Sequence, residues 1–148
     1  MSSDTNAAQT APRAHGRCLC GAVQYAVFGP LRPVVACHCN MCRRSSGHHV
    51  AATACRIEDF RLIEGGGLRW YHSSATARRG FCQTCGSNLF WEPASRTHIS
   101  IMSGTLDQPT GLVTAVHIHA SEAGDYYRIC DDLPQRDDGE HGISLPFA

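Results

Sequence analysis

The feature that most constrains this chain is a group of three cysteines within six residues, Cys37-His38-Cys39-Asn40-Met41-Cys42. Three thiolates this close together can reach one metal ion, but they cannot complete a tetrahedral zinc shell by themselves. The group therefore indicates a zinc site with one coordination position left open. The alternative is that Cys39 and Cys42 form half of an ordinary closed zinc site in which Cys37 takes no part.

Two further pairs of cysteines each end in glycine, Cys18-Leu19-Cys20-Gly21 and Cys82-Gln83-Thr84-Cys85-Gly86. Glycine permits the tight turn in which backbone amides point back at thiolate sulfurs. Together the two pairs predict one closed four-thiolate zinc site with a structural role, in which metal binding is coupled to folding. The predicted ligands of this structural zinc are Cys18, Cys20, Cys82 and Cys85.

This partition leaves the three clustered cysteines as ligands of a second, open zinc, and so predicts two zinc ions per chain. In the competing partition, Cys39 and Cys42 join the later pair in a zinc ribbon. That arrangement leaves Cys18, Cys20 and Cys37 without a clear role, and we favour the first. Two cysteines stand outside all of these groups, Cys55 and Cys130.

Histidines could complete the second zinc site, and the nearest in sequence are His38, His48 and His49. His38 lies between two predicted ligands and is expected to point away from the metal that they share. His48 and His49 begin a predicted strand, where only one of them can face inward. His117 and His119 are predicted to share a strand face, with no third ligand evident nearby. We therefore expect the metal ligands to be cysteines.

The charge of the chain limits its partners. Its 13 cationic side chains are all arginine, they match 13 acidic side chains, and the formal net charge is zero. Such a chain has no bulk attraction to nucleic acid or to anionic lipid. The lack of lysine excludes lysine Schiff-base chemistry. We expect neither nucleic acid nor a membrane as a partner, and the composition leaves the oligomeric state open.

Nine cysteines require either disulfides in an oxidising compartment or metal and free thiols in a reducing one. Residues 1–14 are polar and lack both the basic start and the apolar run of a signal peptide. No apolar stretch approaches the ~18 residues that span a bilayer. We therefore expect a cytoplasmic protein whose thiols are reduced or bound to metal, with residues 1–14 as a disordered leader.

Short stretches with strand character recur along the chain, and no segment has a helical period over ten or more residues. Residues 60–63 and 68–71 resemble a hairpin around Gly65-Gly66-Gly67, and residues 43–47 are polar and turn-like. From Asp131 onward the chain is expected to form an exposed tail. These features predict a mainly β, irregular, zinc-stapled single domain with few or no long helices.

Five short blocks occur along the chain in a characteristic order: Cys18-Leu-Cys-Gly21, Cys37-His-Cys-Asn-Met-Cys-Arg43, Phe81-Cys-Gln-Thr-Cys-Gly-Ser87, Gly104-Thr-Leu-Asp107 and Asp131-Asp-Leu-Pro-Gln135. They resemble the signature blocks of the glutathione-dependent formaldehyde-activating enzyme family, also described as the Gfa-like or centromere protein V/Gfa domain. The resemblance covers residues 15–136. It divides the chain into a leader of residues 1–14, a Gfa-like zinc domain of residues 15–136 and a C-terminal tail of residues 137–148.

The resemblance implies a β-tent fold with two zinc ions. By residue, it places Cys18, Cys20, Cys82 and Cys85 at the structural zinc and Cys37, Cys39 and Cys42 at the catalytic zinc. It further implies a carbon-sulfur lyase of the S-(hydroxymethyl)glutathione synthase type, which joins a small-molecule thiol, glutathione, to an aldehyde, formaldehyde, reversibly.

Arg43 and Arg44 are the candidates to bind a carboxylate of the substrate, because guanidinium groups pair with carboxylates in a bidentate geometry. The alternative function is a non-catalytic zinc-binding module that binds a protein or a thiol.

Overall fold

The computed structural model describes residues 11–144 and residue 147. Within these residues the chain forms ten strands: β1 (Ala14–Arg17), β2 (Gln24–Val27), β3 (Val34–Cys37), β4 (Val50–Arg56), β5 (Phe60–Glu64), β6 (Leu68–Tyr71), β7 (Ala77–Cys82), β8 (Asn88–Pro93), β9 (His98–Met102) and β10 (Thr114–Ile118). The described residues contain one α-helix, α1 (Asn40–Ser46). The prediction of a mainly β single domain without long helices is confirmed.

The strands form two sheets. The smaller has the order β1-β2-β5 and is antiparallel throughout. The larger has the order β10-β3-β4-β9-β8-β7-β6, and its one parallel pair is β10 with β3. This pair is parallel because the chain leaves β9, passes through residues 103–113 and returns to the sheet beside β3.

The main hydrophobic core lies between the two sheets. Tyr25 of β2 stacks on Phe60 of β5 and makes an edge contact with Phe90 of β8, with ring centroids 5.6 and 5.2 Å apart. Ile99 and Ile101 of β9 extend the same core and are almost fully buried. Since side chains alternate between the faces of a strand, the residues between these core positions lie on the other face of the larger sheet.

That outer face carries a second, smaller apolar cluster. It contains Val50 and Ala52 of β4, Met102 of β9, and Cys42 of α1. The strand register places them together, because Cys37 pairs with Val50 and Ala52 pairs with Met102. The two faces therefore have different roles, with the core on the inner face and the cysteine group on the outer one.

The predicted hairpin of residues 60–63 and 68–71 is wrong. Both strands form, but β5 pairs with β2 in the smaller sheet and β6 pairs with β7 in the larger. The turn between them has a hydrogen bond from Leu68 N–H to the Gly65 carbonyl. Glycines permit many backbone conformations and do not by themselves specify a hairpin, and the chain passes here from one sheet to the other.

Residues 43–47 were predicted to be turn-like, but residues 43–46 form the second half of α1 and Gly47 caps it. The helix begins where Cys39 Sγ accepts a hydrogen bond from Cys42 N–H at 3.3 Å. It ends at Gly47, which has a φ of 84° and donates its N–H to the Arg43 carbonyl. Seven residues complete only two turns, and such a short helix leaves no periodic pattern in the sequence.

The ends of the domain differ in detail from the prediction. β1 begins at Ala14, the last residue of the predicted leader, and residues 1–10 lie outside the described residues. The segment after Asp131 has exposed side chains, but its backbone runs beside β10. Arg136 N–H donates to the His117 carbonyl, and His119 N–H donates to the Asp138 carbonyl. No helix among the described residues is long and apolar enough to cross a membrane.

We predict that Ile101→Ala lowers the free energy of unfolding by about 2–5 kcal/mol, because it opens a cavity between the sheets. Urea unfolding monitored by circular dichroism measures the loss. Ile63→Ala is the matched control, since Ile63 is 61% exposed on β5, and it is expected to cost less than about 1 kcal/mol. Equal losses for the two variants would contradict the assignment of the core.

Candidate metal centres and the adjoining cavity

The structure brings together the four cysteines predicted to form a closed site. The ligand atoms of Cys18, Cys20, Cys82 and Cys85 all lie within 4.8 Å of one another and could hold a metal ion. The Sγ atoms of Cys18 and Cys20 are 3.7 Å apart, and those of Cys20 and Cys82 are 3.8 Å apart. A tetrahedral zinc with Zn–S bonds of about 2.3 Å places its sulfurs about 3.8 Å apart. The sulfur spacing therefore fits zinc.

Local backbone geometry holds these thiols in place. Gly21 and Gly86 have φ values of 84° and 79°, a conformation that side chains rarely adopt. The turn directs Val23 N–H at Cys18 Sγ, at 3.3 Å. On the other pair, hydrogen bonds from the side chain and backbone of Ser87 lower the pKa of Cys85 to about 5, which favours the thiolate form that binds metal.

Gly67 contributes to the closed group in a way that sequence reasoning missed. A Cβ atom at this position would lie 2.9 Å from the Ala22 side chain and 3.0 Å from Cys82 Sγ. Its carbonyl also accepts a hydrogen bond from Gln83 N–H at 2.8 Å. The glycine run was predicted only as a turn, and nothing in the sequence distinguishes Gly67, the one buried glycine of the three, from the other two.

The second predicted group is also brought together. Cys37 is the last residue of β3, Cys39 caps α1 and Cys42 is buried in the first turn of α1, and their three sulfurs lie within 4.8 Å of one another. Hydrogen bonds from the thiols of Cys37 and Cys42 and from backbone N–H groups lower the pKa of Cys39. No fourth histidine, cysteine or carboxylate joins this group among the described residues.

A cavity of about 400 Å³ opens beside the three cysteines on the outer face of the larger sheet. Its walls are largely apolar and come from β3, β4, β8 and β9, including Val35, Ala52, Trp91 and Met102. Its basic lining residues are Arg32, Arg79, His98, His119 and His141. None of the described residues that line it is acidic, so the cavity differs in charge from the neutral chain as a whole.

Arg79 is a residue of this site that sequence reasoning missed. It is 7% exposed, and its Nη1 and Nη2 atoms lie 3.9 and 3.7 Å from Cys42 Sγ. Its Nε is buried without a hydrogen-bond partner. The neighbouring Arg78 faces the other way, pairs with Glu92 at 2.8 Å and stacks on Trp70. Adjacent arginines in a strand must face opposite sides, but residues 72–79 were not predicted to contain a strand.

Arg43 and Arg44, predicted to bind a substrate carboxylate, do not line the cavity. Arg43 Nη2 and Arg44 Nε both donate to Oδ1 of Asn40, each at 3.1 Å. This contact holds both side chains along the helix surface. The arginines that line the cavity are instead Arg32 and Arg79.

A row of hydrogen bonds runs through His38, the histidine between the predicted ligands Cys37 and Cys39. Tyr127 Oη lies 2.5 Å from His38 Nδ1, His38 Nε2 lies 2.8 Å from His117 Nδ1, and His117 Nε2 lies 2.9 Å from Asp131 Oδ2. Both ring nitrogens of His38 are therefore engaged away from the cysteines, as expected. His48 and His49 also lie outside the cysteine group.

The prediction that His117 and His119 share a strand face is wrong. β10 ends at Ile118, and His119 has a left-handed backbone conformation with a φ of 51°. This change of direction places His119 in the cavity lining, while His117 lies in the row of hydrogen bonds.

These features define a class of protein, a mainly β domain with a closed four-thiol group and a three-thiol group beside a cavity. A family model described as "Glutathione-dependent formaldehyde-activating enzyme" matches residues 13–122. The chain belongs to this family, as its sequence motifs predicted.

The chain is also similar to two individual proteins. The chain is 30% identical over 80 residues to an uncharacterized lyase of Schizosaccharomyces pombe, a match that covers 54% of this chain and 58% of the relative. It therefore spans somewhat more than half the length of that protein. A crystal structure of a Rhodobacter sphaeroides protein superposes with a TM-score of 0.53 at 30% identity, covering 68% of this chain and 97% of the other.

The burial of His38 within its row of hydrogen bonds predicts that the stability of the protein depends on pH. Burial, together with the neighbouring His49 and His117, lowers the pKa of His38 from 6.5 to about 4. Between these values the unfolded chain binds more protons than the folded protein, so stability is full above about pH 6.5 and falls as the pH drops toward 4. We expect a loss of roughly 1–2 kcal/mol between pH 7 and pH 5.

Urea unfolding of wild type and His38→Gln across this range tests the prediction. The readout is the slope of stability against pH, since the substitution also removes contacts of Tyr127 and His117 and lowers stability at every pH. His38→Gln is expected to flatten the slope. His72→Gln is the matched control, because His72 is exposed outside this group, and it should keep the wild-type slope. An unchanged slope in His38→Gln would refute the assignment.

Proposed function

We propose that the protein is a zinc-dependent carbon-sulfur lyase of the S-(hydroxymethyl)glutathione synthase type. Its substrates are a small thiol, glutathione, and formaldehyde or a related aldehyde, and it forms or cleaves the S-hydroxymethyl adduct between them. The observation that carries the proposal is the three-cysteine group that meets a cavity with no fourth ligand among the described residues. Family membership supplies the substrate class.

The proposal assigns two zinc ions. Cys18, Cys20, Cys82 and Cys85 hold a structural zinc, and Cys37, Cys39 and Cys42 hold the second. When bound at the second site, zinc supplies a position that can hold a thiol as its thiolate or polarise a carbonyl oxygen. The proposal also includes a cytoplasmic location, supported by nine free cysteines, since free thiols persist in reducing compartments.

The protein's own residues prepare this site in two ways. Arg79 places a buried positive charge beside the sulfur of Cys42, where it offsets the negative charge of three thiolates. The apolar walls, with Val50, Met102 and Trp91, exclude water around the cysteine group and strengthen this interaction.

The guanidinium of Arg79 lines the cavity and is a further hydrogen-bond donor. We assign it to the oxygen of the aldehyde, which becomes a hydroxyl group as the carbon-sulfur bond forms. The proton lost by the thiol is the proton gained by this oxygen, so the reaction needs no redox partner.

Metal content and folding distinguish the two sites. Cys82→Ser is expected to unfold the domain and lose both metals, because the closed group joins the two sheets. Cys42→Ser is expected to stay folded with one zinc per chain. Cys130→Ser is the matched control, because Cys130 is exposed and isolated, and it should retain two. Elemental analysis with circular dichroism makes the measurement, and the reverse pattern for Cys82 and Cys42 would overturn the partition.

The exchange of formaldehyde and glutathione with their adduct at equilibrium tests the activity. Exchange NMR should show faster exchange with wild type than in buffer, and Cys39→Ser should return the rate to that of buffer. Equal rates for wild type, Cys39→Ser and buffer would remove the lyase activity and leave a zinc-binding module.

Arg79→Gln removes the buried charge and is expected to lower the enzyme-dependent exchange rate at least about tenfold. The matched control is Arg69→Gln, because Arg69 is exposed on β6, and it should keep the wild-type rate. Full activity in Arg79→Gln with both zinc ions present would refute the role of this arginine.

A further inference from the structure

Arg32 is a buried cation whose charge no acid of the described residues balances. Its side chain is 5% exposed and lines the cavity. Nη2 donates to the Ala52 carbonyl at 2.8 Å, and Nε donates to the Pro33 carbonyl at 3.3 Å. None of the ion pairs formed by the described residues includes Arg32. Burial accordingly lowers the pKa of Arg32 to about 10.

The groups around Arg32 are basic as well. His141 Nε2 lies 3.4 Å from Arg32 Nη1, and both His98 and His141 line the same cavity. Burial and the charge of Arg32 lower the pKa of both histidines. Glu140 acts on His141, but its side chain is exposed and lies outside the cavity lining. Burying a guanidinium is costly unless an anion pairs with it.

The strand register places Arg32 at a defined distance from the cysteine group. Cys37 pairs with Val50 on β4, and Arg32 donates to the carbonyl of Ala52, two residues further along that strand. Two residues of a strand span about 7 Å. The wall between these two points is apolar, formed in part by Val35, Ala52 and Met102. This end of the cavity fits a ligand with an apolar linker between two polar ends.

We propose that Arg32, supported by His98 and His141, binds a carboxylate of the substrate while the sulfur of the same molecule lies at Cys37, Cys39 and Cys42. The substrate class is therefore a thiol that also carries a carboxylate, with the two groups separated on the scale of two strand residues, about 7 Å along the backbone. This inference rests on the proposed function for the position of the sulfur. It assigns to Arg32 the carboxylate contact that the sequence had suggested for Arg43 and Arg44.

Paired ligands that differ only in charge test the proposal. Calorimetric titration of the zinc-loaded protein compares 6-mercaptohexanoate with 6-mercaptohexanamide. Wild type is expected to bind the acid about 10- to 100-fold more tightly than the amide, the usual range for a hydrogen bond to a charged group. In Arg32→Met the ratio of the two dissociation constants should fall to about one, and Arg32→Lys should restore part of it.

The ratio is measured within each protein, so a general loss of affinity does not affect it. Arg69→Met is the matched control and should keep the wild-type ratio, because Arg69 is exposed on β6. If Arg32→Met does not fold, the ratios of wild type and Arg32→Lys still decide the question. A ratio near one in wild type, or no change on substituting Arg32, would overturn the proposal.

Hexanoate, which lacks the thiol, separates this inference from the proposed function. Binding of hexanoate by wild type and its loss in Arg32→Met would support the subsite even if the protein showed no lyase activity. Equal binding of the acid and the amide by an active protein would refute the subsite and leave the lyase proposal standing.

Discussion

The contact between the two cysteine pairs is the constraint on which the rest of the structure depends. Cys18 and Cys20 lie between β1 and β2 of the smaller sheet, whereas Cys82 ends β7 of the larger one. Only 3.8 Å separates the sulfurs of Cys20 and Cys82. A sheet of three strands with four or five residues each is marginal by itself. Its attachment through these thiols, together with the contact of Tyr25 with Phe90, keeps it on the larger sheet.

The same constraint reaches the second cysteine group through β7. Arg79 lies three residues before Cys82 on this strand, and its guanidinium contacts Cys42 Sγ. Because β7 is held in place at Cys82, the position of the Arg79 charge beside the three-cysteine group is set as well. Because β4 and β9 carry the core on one face and the cavity on the other, the cavity walls also rest on rigid elements.

The cysteine groups of the site could be predicted from the sequence more completely than the residues of the cavity around them. The cysteine groups could be predicted because their members are close in sequence and metal geometry limits the ways to combine them. The cavity residues could not. The role of Arg32 depends on its contacts with Ala52 and with His141, which lies 109 residues later in the chain. The role of Arg79 depends on β7, which lies in a stretch too polar to be predicted as a strand. The hairpin prediction was wrong for a related reason. Which strands pair depends on how both sheets are arranged, and a short stretch of sequence does not contain that information.

The two buried arginines of the cavity, Arg79 and Arg32, differ in the groups that surround their guanidinium charge. The guanidinium of Arg79 lies against the sulfur of Cys42, a member of the three-cysteine group. Among the described residues, the hydrogen-bond partners of the Arg32 guanidinium are carbonyl groups and a histidine. Other arginines have acidic partners, as Arg56 has Asp59 and Arg78 has Glu92. Within the part of the chain that the structure describes, Arg32 thus keeps a positive charge that no acid balances inside an apolar cavity, and a bound anion satisfies it at the lowest cost in free energy.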